Sequence, residues 1–363
     1  MGVHDLLSRL LQAPAETLRL SPRLWDVLVR QARRAGLLAR LAETFDEAGL
    51  LDRTPDGPRT HLESARTLAR AQHAQVRREV AWISQALRPI GVTPILLKGS
   101  AYLLAGLPAA RGRVFSDIDI LVPKARLPEV EAALMVQGWV TTHHSAYDQK
   151  YYRQWMHELP PMQHTVRDTV LDVHHTILPS TARLKPDVAK LFAAARDVAA
   201  DDAGLRVLAP ADMVLHSMTH LFHNEELSHA LRDLSDLDLL LRHFATAAGF
   251  WPALIARARE LDLARPLYYG LRHVHRLLAT PVPTEALTAI APDGPRWPLS
   301  RGMDVLWNRA LRPAHASAAD RWTAPSLWLL YVRAHWLRMP PPLLARHLAI
   351  KAWGRQFGDE SAR

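Results

Sequence analysis

The chain has no cysteine among its 363 residues. That excludes disulfide staples, thiolate nucleophiles and thiolate-bound zinc or iron–sulfur centres. It also lacks any run of about 18 apolar residues, so no membrane span is expected. The opening stretch, MGVHDLLSRLLQAPAETLRL, has no basic head followed by an unbroken apolar segment and does not read as a secretory leader. There is no repeat of fixed period and no low-complexity segment. Acidic residues are the scarcer sign, 36 against 45 Lys and Arg, for a formal net charge of +9. Such a balance favours nucleotides, other polyanions or acidic surfaces as partners without bearing on fold. What is present is ordinary for a soluble globular protein, with 48% hydrophobic and 22% charged residues. The length leaves room for two or three domains, and a cytoplasmic location is the expectation.

Periodicity divides the chain into three parts. Residues 1–88 read as an N-terminal helical region. In SPRLWDVLVRQARRAGLLARLAETFDEAGLL the apolar residues recur at helical spacing behind a Ser21-Pro22 start. A second long helix is expected from near Thr60 to Leu87, stopped by Pro89 and Gly91. Over residues 89–208 short β-type runs alternate with helices. TPILLKG, DIDILV, WVTTHH and TVLDVHHTI read as strands, SAYLLAGL and LPEVEAALMVQG as helices, and ELPPMQHTVRD as a turn. Residues 209–363 are helical again, with two helices in PADMVLHSMTHLFHNEELSHALRDLSDLDLLLRHF and a proline-rich break at 281–295. The expected class is α+β: a small mixed sheet with helices, flanked by helical domains.

Chemistry concentrates in the middle part. Side chains alternate along a strand, so Asp117 and Asp119 share one face while Ile118 and Ile120 turn to the core. Two carboxylates side by side are tolerable only with a strong cation between them. Oxygen ligands without cysteine favour Mg²⁺ or Mn²⁺ over zinc. Asp172, in a later apolar strand, is the candidate third carboxylate, and three on adjacent strands suit two-metal displacement at phosphorus. Gly99-Ser100 closes a strand and opens a helix, where free N–H groups and the Ser100 hydroxyl are expected to seat phosphates.

KGS, then SDIDILV, then LDVHH resembles the signature of the DNA polymerase beta-like nucleotidyltransferase superfamily. A bacterial branch of it is the closer match, through Lys98, Arg113 four residues before the first Asp, Asp172-Val173-His174 and the His-rich LHSMTHLFH. The resemblance covers roughly residues 90–245. It implies transfer of a nucleoside monophosphate from an NTP to an acceptor, with release of pyrophosphate. Asp117, Asp119 and Asp172 would hold Mg²⁺ or Mn²⁺. Gly99 and Ser100 would hold the triphosphate, and Lys98 and Arg113 would neutralise the leaving pyrophosphate. The acceptor, a small molecule, peptide or RNA, is not named by it. The alternatives are a non-catalytic nucleotide- or RNA-binding module of the same fold, a toxin-like enzyme modifying tRNA or protein, and phosphoryl transfer releasing ADP.

Weaker signals surround this set. His174 shares the face of Asp172 at period two and is a candidate neighbour of the metal. His216, His220 and His223 lie on one helical face, with His220 taken as facing the cleft. Position 217 is Ser, so the Glu of a zinc-protease motif is missing. Arg232, Asp233 and Asp236 are expected either to pair within their helix or to brace the cleft, Arg232 and Asp236 being the cleft candidates. From Arg321 to Gly358 there is no acidic residue, while Arg321, Arg333, Arg338, Arg346, Lys351 and Arg355 are interleaved with Trp322, Trp328, Trp336 and Trp353. That segment is a candidate polyanion or membrane contact, although a helical subdomain with core Trp and solvated Arg is the favoured expectation.

Overall fold

The computed structural model describes residues 3–142, 149, 152, 153, 155–198 and 204–340. Four helices open the chain: α1 (Leu6–Gln12), α2 (Pro22–Arg34), α3 (Leu38–Glu47) and α4 (Asp56–Leu87). Ser21 caps α2, its side chain accepting from Leu24 N, and Pro22 takes the first helical position, where its missing N–H costs nothing. The α4 helix begins at Asp56 rather than near Thr60. Its buried stripe, Leu62, Ala69, Val76, Val80, Ile83 and Leu87, keeps helical spacing to the end of this 32-residue helix.

Among the described residues seven short strands follow, β1 (Ile95–Leu96), β2 (Ile118–Leu121), β3 (Trp139–Thr141), β4 (Met162–His164), β5 (Val170–His174), β6 (Arg196–Asp197) and β7 (Arg206–Val207). Between them lie α5 (Lys98–Leu104), α6 (Leu127–Val136) and α7 (Val188–Ala194). The strands form one sheet in the order β3-β4-β5-β2-β1-β7-β6. The β2/β5 and β1/β7 pairs are parallel and the others antiparallel. The fold is therefore α+β with a small mixed sheet, as the periodicity implies. The stretch read as a turn holds β4, because Met162 and Gln163 find ladder partners on β5. His143 and His144, read as the end of a strand, lie outside the described residues.

The helical remainder is α8 (Pro210–His223), α9 (Ala230–Phe244), α10 (Phe250–Glu260), α11 (Ala264–Leu278), α12 (Thr284–Ile290), α13 (Leu299–Ala310) and α14 (Thr323–Arg338). The expected break at 281–295 contains α12, with Pro283 outside its N-terminus and Pro292 beyond its end, positions that proline tolerates. Helix α8 is the hub. It packs against α5, α9, α10, α11 and α14 and is buried on nearly all sides. A continuous apolar core runs from Leu6 to Leu330 through all three parts of the chain. The expectation of core tryptophans in α14 fails: Trp328 is 63% and Trp336 50% exposed, because only Ser326, Leu330 and Ala334 of that helix face inward. The arginines there are not simply solvated either. Arg333 donates to the Phe222 carbonyl and Arg338 pairs with Glu225. Arg346, Lys351, Trp353 and Arg355 lie outside the described residues. Among the described residues no helix is long and apolar enough to cross a membrane.

Candidate active site

The site is built where β1 gives way to α5. Leu97 is extended, and Lys98 then takes a left-handed backbone conformation, φ 46°, which a non-glycine residue adopts at a cost of about 1–3 kcal/mol. This turn brings the Lys98 ammonium onto Asp119, Nζ to Oδ1 at 2.8 Å. On β2, Ile118 and Ile120 are fully buried. The parallel register places Asp119 directly opposite Asp172 of β5. His174, two residues on, offers Nε2 to the same Asp119 Oδ1 at 2.9 Å, while its Nδ1 lies 3.2 Å from Glu158 Oε2. A β-bridge between Glu158 and His174 fixes that second contact. The His157 ring sits 5.2 Å from that of His174.

Burial and charge set opposite protonation tendencies here. Burial alone would raise Asp119, but Lys98 and then His174 hold its carboxyl well below the usual range. Burial disfavours the Lys98 ammonium, yet Asp119 and Asp117 keep it above its ordinary value. Burial likewise opposes a charged His174, and Glu158 followed by Asp119 reverses the balance and raises it. Asp117 is pushed up by burial and then by the charge of Asp119. Asp172 is pushed up to about 8 by burial, with Asp119 and Glu158 adding repulsion.

The last shift carries a stability consequence. Asp172 is held neutral in the fold through the neutral range, whereas in the unfolded chain it ionises near its ordinary value of 3.8. Its contribution to stability is therefore full below about pH 4 and is lost as pH rises through about 8, at up to roughly 1.4 kcal/mol per pH unit. We expect the urea midpoint of Asp172→Asn to match that of the metal-free wild type at about pH 3 and to exceed it by a margin that widens from about pH 4 to about pH 8. Parallel pH profiles for the two proteins would refute this assignment.

Above the carboxylates opens a cleft of about 540 Å³. Lys98, Asp117, Asp172 and His174 form one side, and His216, His220, His223, His229, Arg232 and Asp236 the other. His216 is pushed down to about 3 by burial and then by Lys98, and His223 to about 3 by burial and then Arg333, so both are neutral at pH 7. Among the described residues the three histidines of α8 do not converge with one another as metal ligands. The convergent groups are Asp119, Asp172 and His174, and His157, Glu158 and His174, each with ligand atoms within 4.8 Å of one another. Asp172 Oδ1 is buried without a hydrogen-bond partner. These residues fit a divalent cation. The donor set differs from the oxygen-only one expected, since His174 adds an imidazole nitrogen, a ligand that Mn²⁺ accepts more readily than Mg²⁺. Asp117 stands outside both convergent groups, its Oδ1 accepting from the Ser116 hydroxyl at 3.0 Å.

Three expected contacts are placed differently. The Ser100 hydroxyl donates to the Leu97 carbonyl at 2.9 Å and is buried in the turn rather than lining the cleft. Gly99 is needed for close approach, but what approaches is the protein: a Cβ there would lie 2.6 Å from Arg113 Nε and 2.8 Å from Phe115 Cε1. Arg113 lines the cleft while its guanidinium is committed to Asp236, with Asp233 at 4.0 Å. Asp236 also receives Arg40 of α3 at 2.7 Å, and Arg232 pairs with its neighbour Asp233 at 3.0 Å. The α9 acids thus brace the cleft wall. Glu158, His157 and Arg40 carried no motif in the sequence. The His157-Glu158 dipeptide before two prolines was a faint signal, since it meets the His174-His175 dipeptide across a bridge.

Paired carboxylates on neighbouring parallel strands, with a lysine turn at their side and a helical wall opposite, make up the candidate site. The chain belongs to a family described as uncharacterised nucleotidyltransferases, whose model matches residues 21–279. This bears out the resemblance carried by KGS, SDIDILV and LDVHH, and extends it over the N-terminal helices from α2 onward. Neither a curated protein nor a solved structure matches the chain significantly.

Proposed function

We propose that the protein transfers a nucleoside monophosphate from an NTP to an acceptor hydroxyl, with release of pyrophosphate. The observation that carries this reading is the juxtaposition of Asp119 and Asp172 across β2 and β5, with Lys98 against Asp119, and with Lys98, Asp172 and His174 lining the 540 Å³ cleft. Asp119, Asp172 and His174 would hold Mg²⁺ or Mn²⁺, which when bound supplies neutralisation of the triphosphate and a lower pKa for the acceptor hydroxyl. The chain's own part is to bind and orient. Lys98, always charged, stabilises negative charge that builds on the leaving group, and the Lys98-Gly99-Ser100 turn sets its position. The acceptor oxygen forms the bond to the α-phosphorus, the bond to the β-phosphate oxygen breaks, and the electron pair leaves on pyrophosphate. Asp117, at the cleft's edge and pushed up by burial, takes the hydroxyl proton. A cytoplasmic location, where NTP and Mg²⁺ are at hand, goes with this reading.

The test is product identity. With α-labelled ATP, then each other NTP, and Mg²⁺ or Mn²⁺, we expect pyrophosphate and labelled NMP or NMP adduct. ADP as the product would establish phosphoryl transfer instead. Binding of NTP with no turnover, alone or with cell lysate, would favour the non-catalytic module.

A further inference from the structure

A second, smaller cavity of about 170 Å³ adjoins the cleft, lined by Gln72, Gln75, Val76 and Glu79 of α4, by Phe115 to Ile118, and by Arg167 to Thr169. Ser116 and Asp117 line both spaces, so the Asp117 carboxylate stands at their junction. The cavity contains a carboxylate with no assigned work. Glu79 is 1% exposed; its Oε1 accepts from Arg167 Nε at 2.7 Å, and its Oε2 is buried without a hydrogen-bond partner. Thr169 Oγ1, in the same lining, is also buried and unpartnered. An unmet buried carboxylate oxygen is costly, and such groups normally face a partner. Three acidic residues, Glu79, Asp117 and Asp168, line the cavity with a single guanidinium, that of Arg167. That guanidinium is held by Glu79 and lies 4.3 Å from the centre of the Trp82 ring.

We propose that this cavity is the acceptor subsite, and that it takes a small alcohol bearing an amino group, free or at the tip of a larger molecule. The inference rests on the nucleotidyl-transfer reading above. The ammonium donates to Glu79 Oε2, and the hydroxyl reaches past Asp117 toward the cleft. There its oxygen bonds to the α-phosphorus, its proton passes to Asp117, and pyrophosphate departs with the electron pair of the broken bond. Anionic acceptors are disfavoured by three carboxylates against one arginine. Phe115, whose backbone N–H donates to Gln72 Oε1 at 3.2 Å, gives the cavity a fixed apolar wall.

Two measurements test this, with ethanolamine as probe and choline as its counterpart that keeps the charge and hydroxyl but has no N–H donor. In crystals of the full chain soaked without NTP or metal, ethanolamine should sit with its nitrogen on Glu79, and choline should not bind. In turnover with α-labelled ATP and Mn²⁺, the ratio of ethanolamine adduct to free AMP should exceed that for choline by at least tenfold. Glu79→Gln, which keeps the shape and the Arg167 contact, should lower that ratio at least tenfold, and Thr169→Val should lower it less. Equal ratios for ethanolamine and choline, or an unchanged ratio in Glu79→Gln, overturn the proposal. If the wild type neither hydrolyses nor transfers, the nucleotidyl-transfer reading has failed, and the soak alone decides whether the cavity binds an amino alcohol.

Discussion

Replacing Asp119 with asparagine should lower NMP transfer by about 10³-fold, equivalent to about 4 kcal/mol of transition-state stabilisation, while the protein stays folded. The side chain is where Lys98, Asp172 and His174 come together. Its Oδ1 takes Lys98 and His174 together, and it lies opposite Asp172 in the sheet register. Asparagine fills the same volume but carries no charge, so a divalent cation loses one of two carboxylates and the pair no longer neutralises it. The fold should survive because Lys98 keeps Asp117 in range, and because loss of the Asp119 charge removes part of the repulsion that holds Asp172 neutral, so that Asp172 can ionise beside Lys98. Two readouts separate this from a structural effect. Mn²⁺ affinity, followed by its electron paramagnetic resonance signal, should fall at least tenfold, and near-ultraviolet circular dichroism should be unchanged. A variant that keeps more than a tenth of wild-type transfer would remove Asp119 from the mechanism.

Much of this site is legible one residue at a time. The Asp-x-Asp alternation forces Ile118 and Ile120 inward whatever the partner strand is, and the structure buries both completely. Ser21-Pro22 carries its own capping chemistry and appears as a cap. Asp172 is legible as a lone acid in an apolar strand, although nothing local says that its strand lies parallel to β2 in register with Asp119. What is not legible depends on long-range pairing. Glu158 acquires its role from an antiparallel bridge to His174, formed through a turn whose prolines carry no pairing signal. Arg113 reads equally well as a phosphate ligand or a structural ion pair, and only the position of α9 decides that Asp236 takes it. Ser100 reads as a phosphate donor by its place after glycine, but the strained turn at Lys98 directs its hydroxyl to Leu97 O. The α14 tryptophans mislead for a related reason. A helix that is apolar all round is normally buried all round, and here one stripe packs while the rest faces outward.

The brace behind the cleft yields the largest expected loss of stability. Arg40 and Asp236 are each only 4% exposed, their charged groups 2.7 Å apart, and Arg113 shares the same carboxylate. Arg40 is further tied to the Ala109 carbonyl at 2.5 Å and to the Ser235 hydroxyl at 3.1 Å, so it cannot swing to solvent when its partner is lost. The chain beside it has no slack either. Gly112 has φ 59°, and a Cβ there would lie 2.5 Å from the Arg40 backbone nitrogen. Asp236→Asn leaves two buried guanidiniums facing a neutral amide, and breaking a buried pair in this way costs about 3–5 kcal/mol. The exposed Arg30–Asp26 pair on α2 is the internal control, at 61% and 58% exposure. Asp26→Asn should cost less than about 1 kcal/mol, and that cost should shrink in 0.5 M NaCl, where screening acts on exposed charges. The Asp236→Asn loss should persist in the same salt because the pair is shielded from it. Urea unfolding of the three proteins at low and high salt measures both numbers, and an Asp236→Asn protein within about 1 kcal/mol of wild type would mean that Asp233 and solvent take over the arginines. Where the loss is as expected, the same variant should also weaken NTP binding, since Arg113 lies across Gly99 at the edge of the Lys98 turn and Asp236 is what holds it there.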